Sequence, residues 1–268
     1  MALVPPETLS PSKVSSFKDC ALAFRFSAID RLPEEPSPAA TRGTLVHLAL
    51  EHLFEREPAD RTASNASTDL HRAITEIRSD PEFVGLDLDS DQEATFFAEA
   101  AALLDTYFTV EDPAAVRPIG LELMLEARLG TLRVRGIIDR LELDGDGRLV
   151  VTDYKTGRSP GANYTQGRLG GVNFYALLCE ELFGALPAKV QLTYLGDGTV
   201  LTTEPTEQGT RALRTKLAAI WQAIETACER EDFRPRPGPL CNWCSFQAYC
   251  PSQGGDLSSL PVPAEIRS

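Results

Sequence analysis

The sequence predicts an α/β fold in which a mixed central β-sheet is flanked by helices, with a helical N-terminal region and a C-terminal segment built around cysteines. Three observations carry this. Apolar residues recur at helical spacing through the first 110 positions, residues 121–151 alternate with period two, and helix–strand–helix patterning follows between 166 and 230. Helices, a strand meander and a second α/β run make one sheet covered by helices.

Taken in order, Ser10-Pro11 followed by Val14, Phe17, Ala21 and Phe24 predicts one amphipathic helix, capped by Ser10 with proline in its first turn. The proline-rich run Pro33–Pro38 ends it. A second helix is expected over Thr41–Glu55, with Leu45, Leu48, Ala49 and Leu53 on its apolar side. Residues 58–67 and 80–90 read as loops around a short helix, and 91–108 as a longer one. Strands are expected at Leu121–Leu129, Val134–Leu143, from Leu149 onward and at 189–195, with helices at 166–183 and 206–230. The expected organisation is one domain over 1–268: a helical region (1–110), a core (119–230), a cysteine segment (231–250) and a tail.

Asp144-Gly145-Asp146-Gly147 is a hairpin signal between the second and third strands. A three-residue loop over Asp144–Asp146, with Gly147 in a bulge, would set Asp139 opposite Val151. A four-residue loop would set it opposite Thr152 and turn it to the other face.

With 43% hydrophobic and 24% charged residues, the chain has the balance of a soluble globular protein. No apolar run is long enough to span a bilayer, and Met1–Pro6 has no basic-then-apolar leader, so a cytoplasmic location away from membranes is expected. In that reducing compartment, six cysteines favour metal ligation or apolar filling over disulfides. The net charge of −13 argues against coating nucleic acid with the whole surface. Any such contact falls to local arginines: Arg128, Arg133, Arg135 and Arg140, or Arg230, Arg234 and Arg236.

The chemistry-bearing residues sit on the meander. Asp139 lies inside the apolar Gly136-Ile137-Ile138-Asp139-Arg140, and Asp153 and Lys155 close Val150-Val151-Thr152-Asp153-Tyr154-Lys155. Carboxylates are depleted in strand interiors, so each calls for a reason. Two at one sheet end can hold Mg²⁺, and a lysine two residues after Asp153 projects from the same face. A lone Asp-x-Lys is more often an exposed ion pair. Asp139 on the neighbouring strand, and the scarcity of lysine (five, against twenty-one arginines), weigh toward a site.

Gly-Ile-Ile-Asp-Arg, a short hairpin and then Val-Thr-Asp-Tyr-Lys-Thr-Gly resembles the nuclease core of RecB-family exonucleases, within the PD-(D/E)XK superfamily. Gly43-Thr44-Leu45-Val46-His47 is similar to the family's upstream histidine helix, and Glu122 to the glutamate before the aspartate strand. The resemblance implies a restriction-endonuclease-like core and a Mg²⁺- or Mn²⁺-dependent deoxyribonuclease. Metal would be held by His47, Asp139, Asp153 and the Tyr154 carbonyl, with Glu122, Asp139, Asp153 and Lys155 catalytic. Tyr175, Arg140 and Arg158 are the expected DNA contacts. Family members usually carry a glutamine four residues before the tyrosine; here Gly171 stands there, and whether Asn173 or Gln166 takes its place is open at this point. The implied activity is exonuclease action on single-stranded DNA ends in repair or recombination. With no GxxxxGK[ST] motif in the chain, a helicase or other repair partner would supply any motor.

Cys241-Asn242-Trp243-Cys244 and Cys250 place three thiols after an Arg/Pro-rich stretch, with Cys20 the candidate fourth ligand. Thiolate coordination suits zinc or iron–sulfur, and the spacing does not separate them. The one-plus-three layout around the core resembles the AddB nuclease domain and the CRISPR adaptation nucleases, which implies a [4Fe-4S] cluster clipping the two ends of the chain together. Cys179 and Cys228 sit in helical patterns as packing residues. The alternatives are a catalytically weak DNA-handling subunit that keeps this fold, or a zinc module with an accidental Asp-x-Lys.

Overall fold

The computed structural model describes residues 3–161 and 165–261, apart from the side chains of 165–170 and 172. The described strands are β1 (Pro118–Leu129), β2 (Leu132–Leu143), β3 (Leu149–Lys155), β4 (Lys189–Tyr194) and β5 (Thr199–Thr203). They form one sheet in sequence order. β2 and β3 are antiparallel, β3 and β4 parallel, β4 and β5 antiparallel, so the sheet is mixed, as the sequence predicts. The parallel step needs a crossover, which α7 (Thr165–Phe183) provides.

The chain divides into two compact units, one comprising 1–35, 126–136 and 211–268, the other 36–125 and 137–210. In the second unit, α3 (Pro38–Glu55), α4 (Ala63–Ile77), the short α5 (Pro81–Val84) and α6 (Ser90–Val110) enclose an apolar core. Leu45, Leu53, Phe96 and Tyr107 are buried there, and Phe83 and Phe96 meet edge to face at 5.5 Å. The helix starts follow capping chemistry. Ser37 caps α3 with proline in its first turn, Thr62 caps α4, and Asp89 with Gln92 forms a reciprocal capping box on α6. The Ser/Thr/Asn-rich start of α4, expected as loop, is helical because Thr62 accepts from the Asn65 N–H.

In the first unit, the N-terminal helix is capped by Ser10 as predicted but is not continuous. α1 (Pro11–Asp19) stops at Cys20, whose backbone is extended, before α2 (Ala21–Phe24) and a π-helical turn at Arg25–Ile29. Leu9 bridges Val134, with the Leu9 N–H donating to the Arg133 carbonyl. Phe26 packs against Phe246 at 5.5 Å and Tyr249 at 6.1 Å. The helix α8 (Glu207–Arg230) leads to the cysteine segment. No helix among the described residues is long and apolar enough to cross a membrane.

The β2–β3 hairpin corrects the expected register. Leu143 pairs with Leu149 and Arg140 with Thr152, so one further step sets Asp139 against Asp153 rather than Val151. Asp144 explains the longer turn. Its Oδ1 accepts from the N–H groups of Asp146 and Arg148, both at 2.9 Å, while Gly147 takes φ +75. The slip is by two residues, so parity survives and both carboxylates keep one face.

Candidate active site

Three elements of the second unit converge on the site. α3 brings His47, β1 brings Glu122 and β2 brings Asp139; one ligand atom from each lies within 4.8 Å of the others. His47 Nδ1 stands 3.4 Å from Glu122 Oε1 and 3.7 Å from Asp139 Oδ2. Its Nε2 faces the Tyr154 carbonyl at 3.2 Å. The Tyr154 N–H donates to Asp139 Oδ2 at 2.6 Å, so one residue of β3 contacts both through its backbone.

Glu122 adopts φ +42 within a strand, a left-handed conformation that costs a non-glycine residue on the order of 1–3 kcal/mol. The strain sits where a carboxylate must leave the regular strand path to reach the histidine.

Asp153 is 2% exposed and stands beside Asp139, outside the compact trio. Its Oδ1 accepts from the Tyr175 hydroxyl at 2.9 Å, and its Oδ2 is ion-paired with Lys155 Nζ. That Oδ2 is buried and has no hydrogen bond of regular geometry, so the lysine neutralises it without satisfying it. Lys155 is 46% exposed at the strand end, where incoming substrate can reach it.

The loop beyond is held tightly. Gly196 donates to the Gly157 carbonyl at 3.2 Å, and a Cβ on Gly196 would meet that carbonyl at 2.7 Å. Asp197 accepts from the Ser159 N–H and hydroxyl, and Arg158 is exposed on this loop.

The electrostatics favour binding of a cation here. Burial, then the neighbouring Asp153, pushes the Asp139 carboxyl up to about 7 despite the pull of His47 and the Tyr154 N–H. Burial alone would depress the His47 imidazole; the hydrogen bond with Glu122 and the charges of Asp139, Glu122 and Asp153 outweigh it and raise it. Burial and Asp153 raise the Tyr175 phenol, which stays a donor. Clustered carboxylates, one imidazole and a buried carboxylate oxygen without a hydrogen bond fit a hard divalent cation.

Two of the expected DNA contacts are placed otherwise. Arg140 is fully buried, its guanidinium bound by Glu111, the Tyr154 hydroxyl and Thr152, so it cannot touch DNA in this fold. Adjacent residues on a strand face opposite ways, which puts it behind Asp139. Tyr175 is turned onto Asp153. Gly171 is exposed in open space, Asn173 lies near Gly209, and the Gln166 side chain falls outside the described residues.

In the first unit, Cys20, Cys241, Cys244 and Cys250 line one cavity. Burial raises the Cys244 thiol, and Cys20, Cys250 and Cys241 add to the shift. Cys20 Sγ accepts from the Arg236 N–H and Cys241 Sγ from the Gly238 N–H, both at 3.4 Å. Cys179 and Cys228 are buried, and burial pushes the Cys179 thiol up to about 12.

The chain is similar to several known proteins. The chain is 24% identical over 273 residues to the Gene 69 protein of Mycobacterium phage D29, covering 90% of this chain and 96% of that protein. It is 29% identical over 134 residues to the Gene 69 protein of Mycobacterium phage L5, covering 49% and 44%. A crystal structure from Eubacterium rectale, described as a candidate exonuclease, superposes with TM-score 0.58 at 13% identity, over 89% of this chain and 87% of that one; it shares the fold. Residues 8–251 match the PD-(D/E)XK nuclease superfamily, and the chain belongs to that superfamily.

Proposed function

We propose that the protein is a Mg²⁺- or Mn²⁺-dependent deoxyribonuclease that digests single-stranded DNA from its ends, in repair or recombination, with its two units working as one nuclease domain. The observation that carries this is the meeting of His47, Glu122 and Asp139 beside the buried Asp153 and its ion-pair partner Lys155. His47, Asp139, Asp153 and the Tyr154 carbonyl would hold the cation, with Glu122 beside them. When bound, a divalent cation would supply Lewis-acid polarisation of the phosphate and a more acidic water. Lys155 orients the attacking water and offsets charge building on phosphorus. Tyr175 fixes one oxygen of Asp153, and Arg158 meets the DNA backbone.

The four thiols carry a [4Fe-4S] cluster in this reading. The four thiols line one cavity, and thiolate ligation of this kind suits an iron–sulfur cluster as well as zinc. The cluster would act as a structural clip.

The test is digestion of end-labelled single-stranded DNA with Mn²⁺, Mg²⁺ or chelator, alongside a closed single-stranded circle. Metal-dependent loss of the linear strand and survival of the circle are expected. Folded protein that digests neither with either metal would overturn the reading.

A further inference from the structure

The sheet face behind the candidate metal residues carries a charged network that cleavage chemistry does not require. Arg140 is fully buried there. It donates to the Tyr154 hydroxyl at 2.6 Å and to Thr152 Oγ1 at 3.2 Å, and its guanidinium lies 5.0 Å from the Phe54 ring centre. Glu111 accepts from two of its nitrogens, one at 3.0 Å, and is itself held by the Tyr107 hydroxyl at 2.8 Å. Glu142 stands 3.3 Å from the third nitrogen, outside hydrogen-bond alignment.

A buried ion network of this kind is a weak source of stability, because desolvation consumes most of its attraction and an apolar filling would serve as well. What it does supply is position. Tyr154 separates Asp153 from Lys155, its N–H holds Asp139 and its carbonyl faces His47. Fixing its ring from behind therefore fixes the residue whose N–H and carbonyl face Asp139 and His47 in front.

We infer that Arg140 is a positioning residue for the metal site, acting through the Tyr154 hydroxyl, with Glu111 holding Arg140 in turn. The inference rests on the proposed metal-dependent nuclease reading. Hydrogen-bonding partners behind metal ligands commonly set affinity by about 10–100-fold. Arg140 and the Tyr154 hydroxyl stand one step further back, acting on backbone and strand position.

Tyr154→Phe removes only the hydroxyl. It should weaken Mn²⁺ binding by about tenfold, measured by calorimetry on the whole protein. It should also lower kcat at saturating DNA while leaving KM for DNA unchanged. Glu111→Gln, at a residue only partly buried, should give the same pattern and serves if Tyr154→Phe does not fold. Asp153→Ala is the separate control, expected to lose Mn²⁺ binding and cleavage together. If that control behaves so while the folded Tyr154→Phe or Glu111→Gln protein binds Mn²⁺ as wild type, the positioning role is overturned and the nuclease reading stands. A lower melting temperature with unchanged Mn²⁺ affinity overturns it equally. If wild type neither binds Mn²⁺ nor cleaves, the nuclease reading itself fails.

Discussion

The N–H of Tyr154 donates to Asp139 Oδ2 at 2.6 Å, so the carboxylate on β2 is anchored by the peptide that follows Asp153 on β3. Two strands thereby share one hydrogen bond at the point where their acidic residues meet.

Loss of the lysine should be felt in rate and not in fold. Lys155→Ala should reduce cleavage by about 10²–10³-fold, the usual cost of removing one charge-stabilising donor. Its circular dichroism should match wild type, because the side chain is nearly half exposed. Cleavage at the wild-type rate would remove Lys155 from the active site.

Asp139 should make the metal-free protein less stable as pH rises. Its folded pKa of about 7 lies above the ordinary carboxylate value near about 4, so the folded state holds an extra proton between them. Stability therefore declines across that window, and the penalty is complete above pH 7. Asp139→Asn keeps an acceptor for the Tyr154 N–H and removes the charge. At pH 8 it should melt at least about 2–4 °C above metal-free wild type, the equivalent of 1 kcal/mol in a chain this size. It should also cease to cleave. An equal or lower melting temperature would contradict the assignment.

His47 should titrate according to Glu122. Its folded pKa is raised, so its contribution to stability is present below its unfolded value and lost as pH climbs through the folded one. Glu122→Gln removes a charge that supports the imidazolium and should move the His47 NMR titration to lower pH in metal-free protein. The chain has three histidines, so the signal can be assigned by substitution. No movement would mean the 3.4 Å approach does not persist in solution.

If the four thiols hold the proposed cluster, Cys20→Ser should bleach visible absorbance and lower the melting temperature, because it opens a loop of more than two hundred residues. Iron and sulfide analysis of anaerobically purified wild type should find both. A coloured, equally stable variant would place the fourth ligand elsewhere.

The Ser10 cap and the carboxylates of the meander are legible because their signals are local: Ser10-Pro11, or aspartate inside an apolar strand. The burial of Arg140 is not legible from its place beside Asp139 in the sequence, because strand alternation sends the two residues to opposite faces. Glu122 has no local signature in an alternating strand and was reached only through family resemblance; its positive φ is a tertiary property. β5 is a five-residue strand outside the pattern that was read. The break at Cys20 was hidden because apolar spacing runs straight through it, and apolar spacing reports burial better than it reports backbone continuity.

The hairpin turn at Asp144–Arg148 behaves like a reading frame for the sheet. Adding or deleting one residue there would turn Asp139 away from Asp153 without touching any residue of the site. A change of two would bring the carboxylates back to one face, a step apart. Length variation in this exposed turn should therefore be tolerated in even steps only, which a small set of insertions assayed for cleavage would show. An apparently neutral surface loop is in this sense as restrictive as the acidic residues it aligns.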